Sequence, residues 1–198
     1  LDAYHKMKDA GIPVVFFDKV PDDDTYNRVC LADKEAAVMA AEALLKKQKK
    51  NILAIFGDAQ MSITKRRMQA FKETFQPNKK IKLHVEQAGN MEEAEDVAHR
   101  YYELKQPPDA VFCMSDEILM GVMKCVQQLK LDIPKQTGVI ALSDGFFPKI
   151  YFPEITYVET SGYRLGKLAC ERMMQCVKGK EEPKELFVSS RFVEGNSL

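Results

Sequence analysis

The chain has no tryptophan, only three histidines, and no excess of either charge: 29 cationic side chains balance 29 anionic ones. Each shortage removes a class of function. A domain that grips nucleic acid by itself is usually basic or carries a basic stripe. Here the one cationic cluster is Lys46, Lys47, Lys49 and Lys50, at a helix end where positive charge suits the helix dipole. His5 falls on a helix, His84 inside a strand and His99 on a helix surface. None sits at a strand end beside a nucleophile, so no Ser-His-Asp arrangement is expected. No HExxH, EF-hand or phosphate-loop pattern occurs either. No catalytic residue, metal ligand or cofactor is assigned, and an enzyme is not expected. The five cysteines are odd in number, without CxxC and without ligand-like spacing to histidine, which predicts reduced thiols in the cytoplasm. No apolar run approaches the ~18 residues of a membrane span.

What the chain does have is an ordinary core-forming composition, 45% apolar and 29% charged over 198 residues. That is enough for one large domain or two small lobes. Four apolar runs of strand length each end on an aspartate: VVFF-Asp18, ILAIFG-Asp58, AVFCMS-Asp116 and VIALS-Asp144. Periodicity predicts helices over 2–10, 34–48, 63–75, 91–105, 116–129 and 162–177. It predicts strands over 14–17, 28–31, 52–56, 82–86, 110–113, 138–142 and 155–158, with two short closing strands around 186–193. Asp33 suits the N-cap of the second helix. Alternating strands and helices imply right-handed crossovers and a parallel sheet. In such sheets ligands bind outside the carboxyl ends of the strands, so the aspartates mark a polar site on a rigid frame.

Within SITKRRMQAFKETF, Arg67 lies four residues after Ile63 and four before Phe71. It therefore falls in the apolar stripe, whereas Arg66 does not. An inward guanidinium must be paired or line a polar cavity. A structural ion pair with a strand-end aspartate and a fork for ligand hydroxyls, carboxylate or phosphate both remain open. Ser115-Asp116 and Ser143-Asp144 repeat a hydroxyl beside a carboxylate just past a strand, which suits a polyhydroxylated ligand. Ser115 and Asp116 could equally cap the helix that follows. Phe17, Phe112 and Phe146 lie near the same strand ends and could stack on a ring or pack in the core.

The segments GIPVVFFDKV, ALLKKQKKNILAIFGDAQMSITKRRMQAF, PDAVFCMSDEILMGVMKCVQQLKLDIP and FPEITYVETSGYRLGKLACERMM resemble the lactose-repressor (LacI/GalR) family of transcriptional regulators, particularly those of Bacteroides-like bacteria. The resemblance is to the effector-binding core, which is similar to periplasmic sugar-binding proteins, and it covers essentially the whole chain. It implies an α/β, periplasmic-binding-protein-like fold of two Rossmann-like, parallel-sheet lobes. The N-terminal lobe would be partial, about 1–32 plus 161–180, and the C-terminal lobe complete, about 33–160 plus 181–198. The opening LDAYHKMKDAGIP reads as the tail of a helix entering a strand, so a fragment is expected, with no helix-turn-helix and DNA contacted only through an absent N-terminal domain.

The family's effector, a small molecule expected here to be a carbohydrate, would lie between the lobes. Arg67 matches its effector-binding arginine, Phe112 the stacking aromatic, Ser115, Asp116, Ser143 and Asp144 the strand-end pairs, and Thr160 a crossover position; Asp18 ends the one N-lobe strand. Met120, Met123, Tyr151 and Phe152 match its homodimer contacts, with burial inside the monomer as the other reading. Two departures stand out: the family's acidic pair appears as Ala32-Asp33, and Gly195 replaces an arginine near the end. A periplasmic sugar receptor of a transport system is the alternative.

Overall fold

The computed structural model describes residues 2–18, 20–21, 23–179 and 182–198. In chain order the elements are α1 (Asp2–Asp9), β1 (Val15–Phe17), β2 (Asn27–Leu31), α2 (Asp33–Lys46), β3 (Asn51–Phe56), α3 (Ser62–Phe75), β4 (Lys82–Gln87) and α4 (Met91–Tyr102). They continue with β5 (Ala110–Cys113), α5 (Asp116–Gln128), β6 (Gly138–Ser143), α6 (Phe147–Ile150), β7 (Thr156–Glu159), α7 (Gly162–Val177), β8 (Glu185–Val188) and β9 (Arg191–Val193). The chain divides into two units, Leu1–Ala32 with Ser161–Ser189, and Asp33–Thr160 with Ser190–Leu198.

In the first unit β1, β2 and β8 form a parallel sheet in that order. Leu165 and Ala169 of α7 bury its face against Val29 and Val188. On α1, Tyr4 meets Phe16 edge-on at 4.9 Å. Arg172 of α7, 1% exposed, donates to Asn27 Oδ1 at 2.7 Å and to the Glu182 carbonyl, tying the approach to β8 onto β2. The expected boundary near 180 is therefore misplaced, although residues 180 and 181 themselves lie outside the described ones. Glu185–Val188 hydrogen-bonds in register with Arg28–Leu31, so this segment belongs to the first unit and only Ser190–Leu198 to the second.

The second unit holds a six-stranded sheet, order β4-β3-β5-β6-β7-β9, parallel except for β9. Ile52–Phe56 of β3 and all of β5 and β6 are buried, as expected of strands covered on both faces. The small stripe Ala36, Ala37, Ala40, Ala41 and Leu44 of α2 is likewise enclosed. Each large aliphatic or aromatic side chain buried in this way contributes about 1.5–3 kcal/mol. Helix starts are set locally. Asn90 caps α4 by accepting from Glu93 N at 2.8 Å while Glu93 Oε2 accepts from Gly89 N at 2.7 Å, a reciprocal cap. Ser115 Oγ accepts from Ile118 N at 3.3 Å to start α5. The short helix α6 lies outside the helices that periodicity predicts, and Pro148 stands at its first positions, where its fixed φ is tolerated.

β3 is flanked by β4 on one side and β5 on the other. The chain leaves β3 outward to β4 and returns across it to β5, so the strand order reverses there. At such a switch point the loops after two adjacent strands part and leave a crevice.

Candidate functional site

At that switch point Arg67 turns inward from α3. It is 6% exposed, as its place in the apolar stripe predicts. Its Nε donates to Asp33 Oδ1 at 3.0 Å, its Nη2 lies 3.0 Å from the same oxygen, and its Nη1 donates to the Met114 carbonyl at 3.4 Å. Arg66 takes the other carboxylate oxygen: its Nε and Nη2 lie 3.3 and 3.0 Å from Asp33 Oδ2. Asp33, 5% exposed, thus holds two guanidiniums. The ion pair anticipated for Arg67 exists, but its partner is the first residue of α2 and not a strand-end aspartate. Reading Asp33 as a cap and Arg66 as an outward residue missed this pairing. The available signal was an acid at the start of an apolar helix that must be compensated if buried.

One strand along, Asp116 opens α5. Its Oδ1 is buried without a hydrogen-bond partner among the described residues. Burial pushes its pKa up; a hydrogen bond from the Ser143 side chain opposes this, the Asp144 charge adds to it, and the Asp144 backbone opposes it. Ser143, 2% exposed, accepts from Gly145 N at 2.9 Å. The Ser143 carbonyl accepts from Thr160 N at 2.8 Å and from Thr160 Oγ1 at 3.4 Å. The tight turn after β6 uses Gly145 at φ 96°, and Asp144 Oδ1 accepts from Phe146 N at 3.0 Å. Asp116, Ser143, Asp144 and Thr160 therefore converge at the carboxyl ends of β5, β6 and β7, beside the carbonyl that Arg67 reaches. Ser115 serves as the helix cap.

Phe112 takes the packing role. It is fully buried, with its ring 4.3 Å from Phe71 and 5.3 Å from Phe56, because it lies in a central strand between β3 and β6. Phe146 instead is 65% exposed at the end of β6. Asp18 and Phe17 belong to the first unit and are exposed there, Asp18 with φ 64°. Of the expected subunit contacts, Met123 is 3% exposed and sits in the unit's own core. Met120 and Tyr151 are half-buried, and Phe152 is 99% exposed. Met123, Val126, Leu131, Ile133, Tyr151 and Phe152 line a groove of ≈ 570 Å³. Among the described residues no three histidine, cysteine or carboxylate side chains converge as a metal site, and no helix is long and apolar enough to cross a membrane.

A family model described as a periplasmic binding protein-like domain matches residues 41–198. The chain belongs to that family. Among relatives of this periplasmic binding protein-like chain, the HTH-type transcriptional repressor PurR of Vibrio vulnificus is 28% identical over 184 residues, 91% of this chain and 55% of the relative. The probable HTH-type transcriptional repressor ExuR of Bacillus subtilis is 24% identical, covering 92% of this chain and 55% of the relative. The chain thus spans about half the length of the relatives it matches. A LacI family transcriptional regulator from Enterococcus faecium, solved with bound ribose, superimposes with a TM-score of 0.89 at 16% identity, over 99% of this chain and 74% of that one. A LacI family regulator from Clostridium acetobutylicum gives 0.83 at 22% identity, over 92% and 69%. The resemblance read from the motifs, to a LacI/GalR effector-binding core, agrees with these findings.

Proposed function

We propose that the chain is the effector-sensing core of a LacI/GalR-type transcriptional regulator, which binds a small hydroxylated molecule and so controls operator binding by a separate DNA-binding head. The observation that supports this most is the pairing of unlike groups at one switch point. A guanidinium fixed by Asp33 reaches the Met114 carbonyl at the end of β5, and two residues further on Asp116 carries a buried Oδ1 with no partner among the described residues. A buried acceptor left unmade costs about 1–3 kcal/mol or more, and a ligand hydroxyl would satisfy it. Ser143, Asp144 and Thr160 complete the polar rim, and Phe146 offers an apolar face to a sugar or other ring. Signalling without chemical conversion fits relatives named as repressors, and these names favour a regulator over a transport receptor.

We assign the exposed Phe152 and its groove to homodimer formation, since large apolar side chains on a turn suit an interface core. The direct test is calorimetric titration of the purified protein with sugars, ribose included. Saturable binding that Arg67→Ala removes is the expected result; binding indifferent to that substitution would reject the site.

A further inference from the structure

We infer that this site selects a neutral, hydrogen-bond-donating ligand and rejects the anionic relatives of that ligand, such as its uronate or phosphate ester. The inference deepens the proposed ligand site and rests on it.

The positive charge at this site is already spent. An arginine in a polar site ordinarily signals an anionic substrate, because the planar fork matches carboxylate and phosphate. Here both good donors on one edge of Arg67, Nε and Nη2, point at Asp33 Oδ1, each 3.0 Å away. The second arginine of the site, Arg66, is bound to the same carboxylate. Three further acids stand at the strand ends: Asp58 after β3, Asp116 after β5 and Asp144 after β6. Among these side chains at and beside the switch point, carboxylates therefore outnumber guanidiniums four to two. Arg191 adds no surplus, since it pairs with Glu159 at 3.5 Å. A phosphate or carboxylate placed here would meet like charges in a partly desolvated setting, where their juxtaposition disfavours binding.

The hydrogen-bond inventory agrees. The buried Asp116 Oδ1 needs a donor. An ionised carboxylate or phosphate only accepts, whereas a sugar hydroxyl, an amide or a purine N–H can supply the proton. Arg67 then acts as a positioned polar wall and not as a counter-ion.

The test uses inorganic phosphate and matched pairs of probes on the purified chain: ribose with ribose 5-phosphate, and glucose with glucuronate. The neutral member of a binding pair should be favoured by at least about tenfold, equivalent to about 1.4 kcal/mol. Phosphate should show no saturable binding to the unaltered protein. Asp33→Asn, which frees the arginines from their counter-charge, should create saturable phosphate binding; Asp116→Asn should move selectivity the same way if the first variant fails to fold. Equal or tighter binding of an anionic member overturns the inference. So does phosphate binding by the unaltered protein that Arg67→Ala abolishes, or no gain of anion binding in either asparagine variant. If no sugar or acid binds at all, the ligand-site reading fails, while the phosphate titrations still decide whether the strand ends reject anions.

Discussion

Asp33 Oδ1 and Arg67 Nε lie 3.0 Å apart, with Asp33 5% and Arg67 6% exposed. A residue at the start of one helix therefore fixes the orientation of a residue in the middle of the next. The pair sits where the strand order of the larger sheet reverses, so α2 and α3 are pinned together at the place a ligand would approach.

Asp33→Ala should be the most destabilising single change at the site. It leaves Arg67 buried without its carboxylate, a loss of about 3–5 kcal/mol for a broken buried pair. Arg66→Ala should cost less than about 1 kcal/mol, because its side chain is 35% exposed and Arg67 remains paired. Urea denaturation of the two variants gives the comparison, and equal losses would contradict this division of roles.

The course of these elements was largely legible in the chain. Apolar runs bounded by turn residues located every strand of the larger sheet, and the stripe in α3 correctly turned Arg67 inward. Its partner was not legible, because pairing depends on α2 packing beside α3, a relation no local pattern encodes. Phe112, for which stacking on a ring and packing in the core both stood open, packs in the core, because both neighbouring strands extend past it, which a strand-end position does not reveal. The α6 turn escaped because four residues with a proline give no period to read.

Asp116 predicts a pH dependence of stability. Burial raises its folded-state pKa above the ordinary 3.8, so its contribution favours folding below the unfolded pKa and is lost as pH rises through the folded value. Asp116→Asn should therefore gain stability relative to the unaltered protein as pH increases from about 4. The two should converge in acid. Urea midpoints measured between pH 3 and 7 would show the divergence; parallel curves would mean that the carboxylate is not penalised by burial.

Two glycines mark backbone approaches that exclude a side chain. At Gly121 a Cβ would overlap the Met91 carbonyl where α5 crosses α4, and at Gly195 it would lie 2.5 Å from the Glu154 carbonyl. Gly121→Ala should cost about 1–3 kcal/mol by overpacking. Gly195→Arg, which restores the residue expected from the LacI/GalR pattern, should destabilise and not repair the chain. Thermal melts suffice to check both, and a Gly195→Arg variant as stable as the parent would show that the closing segment can shift.

Phe152, 99% exposed, should anchor self-association if the groove beside it is a subunit contact. Phe152→Asp should then shift the dimer towards monomer with a loss of at least about 2 kcal/mol of association energy, as for a central aromatic anchor. Its melting behaviour as a monomer should be little changed. Light scattering over a concentration series distinguishes this from an unaffected oligomeric state.

The most direct measurement is a thermal-shift titration of the protein and of its Arg67→Ala variant against neutral sugars and nucleobases, ribose included. At least one compound should stabilise the parent saturably, by about 2.7 kcal/mol at a hundredfold excess over Kd, and leave the variant unmoved. A compound that stabilises both proteins equally would place its binding away from the Arg67–Asp33 pair and contradict the account.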